Sequence, residues 1–210
     1  MRNLKLAKDG LPTVITVGVL TVLFTLLQWR GLGAAAFVFF CFTLWFYRDP
    51  ERVFPDGENI LTSPADGKII EIMPAEHPFT GASQKIGIFM SLISVHINRV
   101  PCEGTVEYLE YVPGKKAITL APKASEVNER NCVGLKTKYG PVLLVQIAGL
   151  LARRIVCRAK RGDVFSAGER YGMIKLGSKV DIHLPADVKL VVKVGDKVYA
   201  GKTVLGVMDK

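Results

Sequence analysis

The sequence predicts a mainly β protein of α+β class: a barrel or sandwich of short strands, preceded by an N-terminal hydrophobic helical hairpin. Three observations point there. Apolar residues crowd into positions 11–47 and are spread evenly afterwards. From residue 53 on, short apolar or alternating runs recur between Gly- and Pro-containing turns. Helical periodicity is almost absent from that second part.

The first ten residues carry Arg2, Lys5 and Lys8, and residues 11–29 then run without a charge. Arg30-Gly31 interrupts, residues 32–47 are again uncharged, and Arg48-Asp49-Pro50-Glu51-Arg52 closes the segment. A secretory signal has one apolar core and a small-residue cleavage site, whereas here two cores follow each other. A spanning helix needs about 20 apolar residues. The first run meets that length and the second is short. Trp29, Trp45 and Tyr47 mark the run ends, where interfacial aromatics belong. Positive charge is richer at the two outer ends than at the Arg30 turn, so both ends are expected on the cytoplasmic side of a cell membrane. A shallow hairpin in one leaflet is the alternative, because the second run is short.

Residues 1–52 thus read as an anchor, and residues 53–210 as a domain long enough to bury a core. Net charge is +9, and residues 53–210 hold 22 Lys+Arg against 16 Asp+Glu. Beside apolar segments, a basic surface suits anionic lipid headgroups better than nucleic acid. Cys41, Cys102, Cys132 and Cys157 form no CxxC pair, which argues against a zinc site or a disulfide framework. Reduced thiols and no metal are expected.

In the second part, Pro64-Ala65-Asp66-Gly67 reads as a turn feeding a strand that ends near Ile72. Residues 75–79, with His77, read as a surface loop. Residues 85–90 form a strand, and residues 91–100 carry His96 among apolar neighbours. Residues 104–112 form another strand and 114–131 a polar loop. Strands follow at 133–139, 142–149 and 153–158, then a turn over 162–170. Residues 180–184 alternate apolar and polar and include His183. The last strands are 188–194 and 202–208. The segment 194–206 resembles the hammerhead half-motif of lipoyl and biotinyl domains, with 64–69 as its other half. No Met-Lys-Met or Asp-Lys-Ala hairpin is present, so a carrier role is not expected.

Leu176-Gly177-Ser178 is the stretch with chemical promise. Such a pair is usually a bend between strands. It can also hold a hydroxyl against the preceding Gly carbonyl, the geometry of an N-to-O acyl shift. His96 alone reads as a core or edge histidine, and Asp66 alone as turn chemistry. Together Ser178, His96 and Asp66 supply a hydroxyl, an imidazole and a carboxylate, the kit for activating a nucleophile.

At this point the chain resembles the short-form phosphatidylserine decarboxylase proenzymes. The matching blocks are Ser63-Pro64-Ala65-Asp66-Gly67, then Ser94 through Pro101, Asn128-Glu129-Arg130-Asn131, Gln146-Ile147-Ala148-Gly149 with Ala152 through Val156, and Leu176-Gly177-Ser178. The resemblance implies that His96, oriented by Asp66, deprotonates Ser178, which attacks Gly177. Cleavage would yield a β chain, 1–177, and an α chain, 178–210, held as a heterodimer. Ser178 would become a pyruvoyl group that takes the substrate amine as a Schiff base, and His96 would reprotonate the product. Phosphatidylserine would become phosphatidylethanolamine and CO2, in phospholipid biosynthesis at the membrane.

Some longer members carry a second His where this chain has Arg99. Either His96 serves both proton transfers, or Arg99 holds the substrate carboxylate or phosphate; a solvated surface charge is an equal alternative for Arg99. Arg153 and Arg154 read as a basic pair facing headgroups or as a strand edge. A different class of function remains open: a non-enzymatic, membrane-anchored lipoyl-like β adaptor in which Ser178 is a turn residue and His96 is structural. Diacyl and ether lipid backbones are equally compatible, and further oligomerisation stays open.

Overall fold

The computed structural model describes residues 5–115, 117, 124–149, 154–175 and 177–208. It divides into two compact units, Met1–Glu51 and Arg52–Lys210.

The first unit is a helical hairpin. A 3-10 turn, Lys8–Gly10, leads into α1 (Leu11–Leu26), which is followed by α2 (Arg30–Phe46). Pro12 sits in the first turn of α1, where its missing N–H costs nothing. Leu27-Gln28-Trp29 joins the helices, and Gln28 takes φ 57° to turn the chain. Small residues let the helices touch: a Cβ on Gly18 would meet the Phe40 ring at 3.1 Å. The hairpin ends are tied by Ala7 N–H to the Tyr47 carbonyl at 2.8 Å and Asp49 N–H to the Lys5 carbonyl at 2.7 Å. Lys8–Leu26 is long and apolar enough to cross a membrane, with mean hydropathy 1.7, and α2 is shorter. At 1.5 Å per residue, α1 and α2 are each roughly 25 Å long, against about 30 Å for a bilayer core.

The second unit is β-rich. Its strands are β1 (Ile60–Thr62), β2 (Gly67–His77), β3 (Gly81–Met90), β4 (Ile97–Arg99), β5 (Gly104–Val112), β6 (Arg130–Thr137), β7 (Gly140–Ala148), β8 (Ile155–Cys157), β9 (Val164–Phe165), β10 (Arg170–Ile174), β11 (Ser178–Pro185), β12 (Lys189–Leu190), β13 (Lys197–Val198) and β14 (Val204–Val207). One short helix, α3 (Ala124–Val127), lies between β5 and β6. Among the described residues, eight strands form a curled half-barrel in the order β13-β2-β3-β11-β7-β6-β5-β9. Two small sheets, β1-β14-β12 and β4-β10-β8, complete the unit.

The expected mainly β architecture with an apolar helical start is therefore present. Leu61, Ile69, Ile86, Ile88, Leu135, Leu144, Val180, Ile182 and Leu205 fill one core and are almost wholly excluded from solvent. The two segments read as hammerhead halves meet: Val198 pairs with Gly67, and Ile69 N–H donates to the Asp196 carbonyl at 2.9 Å. Some expectations fail: β2 runs past Ile72, and the polar loop expected over 114–131 contains α3 and the first residues of β6. His77 ends β2 instead of lying in a surface loop, and its ring packs edge-on against Tyr108, with centroids 5.6 Å apart.

Candidate active site

Ser178 opens β11, a central strand paired on one side with β3 and on the other with β7. It faces Met90 and Ala148 across the sheet and is fully buried. Its Oγ donates to the Met90 Sδ at 3.4 Å. A thioether accepts weakly, so the hydroxyl is held without being activated. Gly177, just before it, takes φ +57°. A Cβ there would meet no atom within 4 Å, so the backbone angle, not crowding, calls for glycine. Leu176 lies outside the described residues.

A buried amide chain leads to the same thioether. Asn131 Nδ2 donates to Gln146 Oε1 at 3.3 Å, and Gln146 Nε2 to Asn98 Oδ1 at 2.9 Å. Asn98 Nδ2 reaches the Met90 Sδ at 3.7 Å. Gln146 also contacts the Val156 carbonyl at 3.4 Å, using space that only Gly172 leaves open: a Cβ there would meet Gln146 Nε2 at 2.7 Å. Asn128 donates to the Ala148 carbonyl and the Ala117 carbonyl, both at 2.8 Å, and so braces the residue paired with Ser178. Thus Asn128, Asn131 and Gln146 acquire structural tasks that their side-chain chemistry alone did not disclose.

His96 is fully buried and directly precedes β4. Its carbonyl accepts from Ile174 N–H at 3.3 Å, which sets it beside the chain entering Gly177-Ser178. Asp66 is buried too, yet its contacts lie elsewhere. Oδ2 accepts from the Arg52 guanidinium at 2.7 Å, and Oδ1 from Ala200 N–H at 2.8 Å. A carboxylate out of water needs a fixed cation, and Arg52 supplies one. Asp66 therefore pairs with Arg52, not with His96. Its turn still reaches the histidine strand: the Pro64 carbonyl accepts from Arg99 N–H at 2.9 Å.

Arg99 is 4% exposed and donates to the Gly168 carbonyl at 3.0 Å, so the reading as a solvated surface charge fails. Arg154 is exposed, and Arg153 lies outside the described residues. On the opposite face of β11, Lys179 Nζ binds Asp181 Oδ1 at 3.0 Å and Glu71 Oε1 at 2.5 Å, with Lys85 also on Glu71 at 3.0 Å. Burial pushes the Asp181 carboxyl up, and Lys179 opposes that. No cluster of three or more metal-ligating side chains occurs among the described residues.

The family model for phosphatidylserine decarboxylase matches residues 39–206. A phosphatidylserine decarboxylase proenzyme of Geotalea uraniireducens is 44% identical over 209 residues, covering 99% of this chain and 98% of that protein. One from Chlorobium phaeobacteroides is 44% identical over 202 residues, covering 93% and 94%.

The chain belongs to the phosphatidylserine decarboxylase family.

Membership makes it a decarboxylase, a lyase. A further relative so named, from Syntrophus aciditrophicus, is 42% identical over 205 residues and covers 96% of both chains. All three relatives are called proenzymes, a word for a protein made as a precursor. A pyruvoyl cap at position 178 would replace the amide nitrogen by a ketone oxygen and the hydroxymethyl by a methyl group. It needs no more room than Ser178 fills, so the residues present fit that group.

Proposed function

We propose that this chain is a self-processing decarboxylase that converts phosphatidylserine, or a related serine-headgroup phospholipid, to phosphatidylethanolamine and CO2. The observation that carries it is a left-handed Gly177 set directly before a buried Ser178 at the head of a central strand.

In this reading His96 takes the Ser178 proton, and Oγ attacks the Gly177 carbonyl carbon. The C–N bond breaks as the ester forms, and the freed amine takes up a proton. Loss of the Ser178 Cα proton then breaks the Cβ–Oγ bond, and Gly177 leaves as a carboxylate. Water converts the dehydroalanine left behind to a pyruvoyl group and ammonia. When present, that group supplies an electrophilic carbonyl that draws electrons as CO2 departs. His96 holds the proton that the product α-carbon receives. Asp66 acts as a positioning residue: anchored by Arg52 and Ala200, it fixes the turn that carries β4 and so His96. Arg154, exposed near this end of the fold, is the candidate for the headgroup; Arg99, tied to Gly168, frames the site. Chains 1–177 and 178–210 would stay together as a heterodimer. The N-terminal hairpin would hold the enzyme on the cytoplasmic face of the cell membrane.

Mass spectrometry of the purified full chain tests this. Masses for a 177-residue and a 33-residue chain are expected, the second with a blocked amino end. Ser178→Ala should give one uncut 23.0 kDa chain that releases no CO2. His96→Ala should also remain uncut. An intact wild-type chain that still decarboxylates serine lipids would sink the reading.

A further inference from the structure

We propose that the turn Ser91-Leu92-Ile93-Ser94 is a bilayer-contacting tip that seats the mouth of the active site on an anionic membrane surface. The inference rests on the lipid-substrate reading above and adds the surface through which that lipid arrives.

Ser94 N–H donates to the Ser91 carbonyl at 3.0 Å, closing a tight turn, and the two hydroxyl oxygens lie 3.2 Å apart. The central positions of such turns normally hold Gly, Pro, Asn, Asp or Ser. Here they hold Leu92 and Ile93, 41% and 71% exposed. Isolated exposed aliphatics need no explanation. Two adjacent ones on a turn tip, with polar residues on either side, match an interfacial anchor. The position is also particular: Met90, which receives the Ser178 hydroxyl, precedes the turn, and His96 follows it.

Charge supports the same occupant. Ile174 N–H to the His96 carbonyl and Lys175 N–H to the Arg154 carbonyl, at 3.2 Å, set Arg154 and Lys175 at the end of the β4-β10-β8 sheet from which the turn emerges. Residues 90–102, 154–162 and 171–180 contain no Asp or Glu. An apolar tip beside Arg154 and Lys175 complements a surface of anionic headgroups over an apolar interior.

The test uses the full chain with Cys41→Ser, Cys157→Ser and Ile93→Cys, the new thiol carrying an environment-sensitive fluorophore. On vesicles of phosphatidylcholine and phosphatidylglycerol, a nitroxide placed high on the lipid acyl chain should quench it strongly. An unquenched, water-like signal overturns the proposal, whether or not the chain is catalytically active. In parallel, Leu92→Ser/Ile93→Ser should raise the apparent KM for phosphatidylserine in vesicles about tenfold. Turnover of a short-chain, monomerically dissolved phosphatidylserine should be unchanged. Equal loss on both substrates, or no loss on vesicles, overturns the tip. Wild-type chain inactive on both substrates would instead refute the decarboxylation reading, and the quenching result would still decide the tip.

Discussion

Removing the Arg52 guanidinium should cost the β-rich unit about 3–5 kcal/mol, the usual loss when one partner of a buried ion pair is deleted. The pair is 2.7 Å apart, and its side chains are 9% and 8% exposed. In Arg52→Ala, Asp66 keeps one N–H, from Ala200, and water cannot replace the missing cation. Arg52 also donates to the Ala200 carbonyl at 3.3 Å, and about 1 kcal/mol of the loss belongs there. Asp66→Asn removes the opposing charge while an amide oxygen can still accept from Ala200. The double variant should therefore be more stable than the sum of the single losses predicts, by about 2 kcal/mol or more. Denaturant unfolding of detergent-solubilised chain measures this. Ser178→Ala in every sample should keep all variants as one covalent polypeptide. Both tryptophans, Trp29 and Trp45, lie in the helical unit, so circular dichroism of the strands is the proper probe. With Ser178 restored, Arg52→Ala should also slow cleavage, because the turn that braces β4 is loosened. A coupling below about 0.5 kcal/mol, the value of exposed pairs, would refute the reasoning.

Gly177→Ala should destabilise the uncut chain by about 1–2 kcal/mol through its left-handed backbone alone, and Gly177→Asn by less; thermal unfolding in a Ser178→Ala background reads the difference. Lys179→Met should cost about 3–5 kcal/mol, since it strands Asp181 in the sheet, and adding Asp181→Leu should recover much of it; denaturant midpoints check both. Burial, helped by the charges of His77, Lys85 and Lys179, holds the His183 imidazole down to about 4. The unfolded chain takes up a proton near 6.5, so the contribution of His183 to stability is whole above that pH and declines as pH falls toward 4. The decline should reach about 3 kcal/mol, and His183→Gln should flatten the measured stability profile across that interval.

Much of the fold was legible because alternation and turn residues act locally. β2 runs to His77, beyond the end expected near Ile72, although it contains Pro74. In the fold, β13 pairs only with Lys68 and Gly67, so Pro74 lies on an open edge where a missing N–H breaks no ladder. The pair Gly177-Ser178 stands out in the sequence because the proposed chemistry needs adjacent residues. The partner of Asp66 was not. Arg52 ends the charged run after the apolar segment and looked like its boundary, while Ala200 reaches Asp66 from 134 positions away. The amide chain was half visible: Asn98, Asn131 and Gln146 all stand in the blocks that carry the resemblance, yet nothing local says that they touch one another. The surface-charge alternative for Arg99 fell for the same reason, since its Gly168 partner arrives through tertiary packing.

If the proposed cut occurs, the place of Ser178 at the head of β11 bears on how the finished enzyme would be lost. In the proposed two-chain enzyme, residues 178–210 would stay in the sheet, paired with β3 along all of β11 and with β7 as far as His183, and Lys179 and Asp181 hold each other there. The cut need not loosen the native molecule. It would change what melting means, because two strangers would then drift apart in place of one chain unravelling. Reassembly would then be a bimolecular search. Such an enzyme persists by the height of its unfolding barrier, not by its ability to fold again.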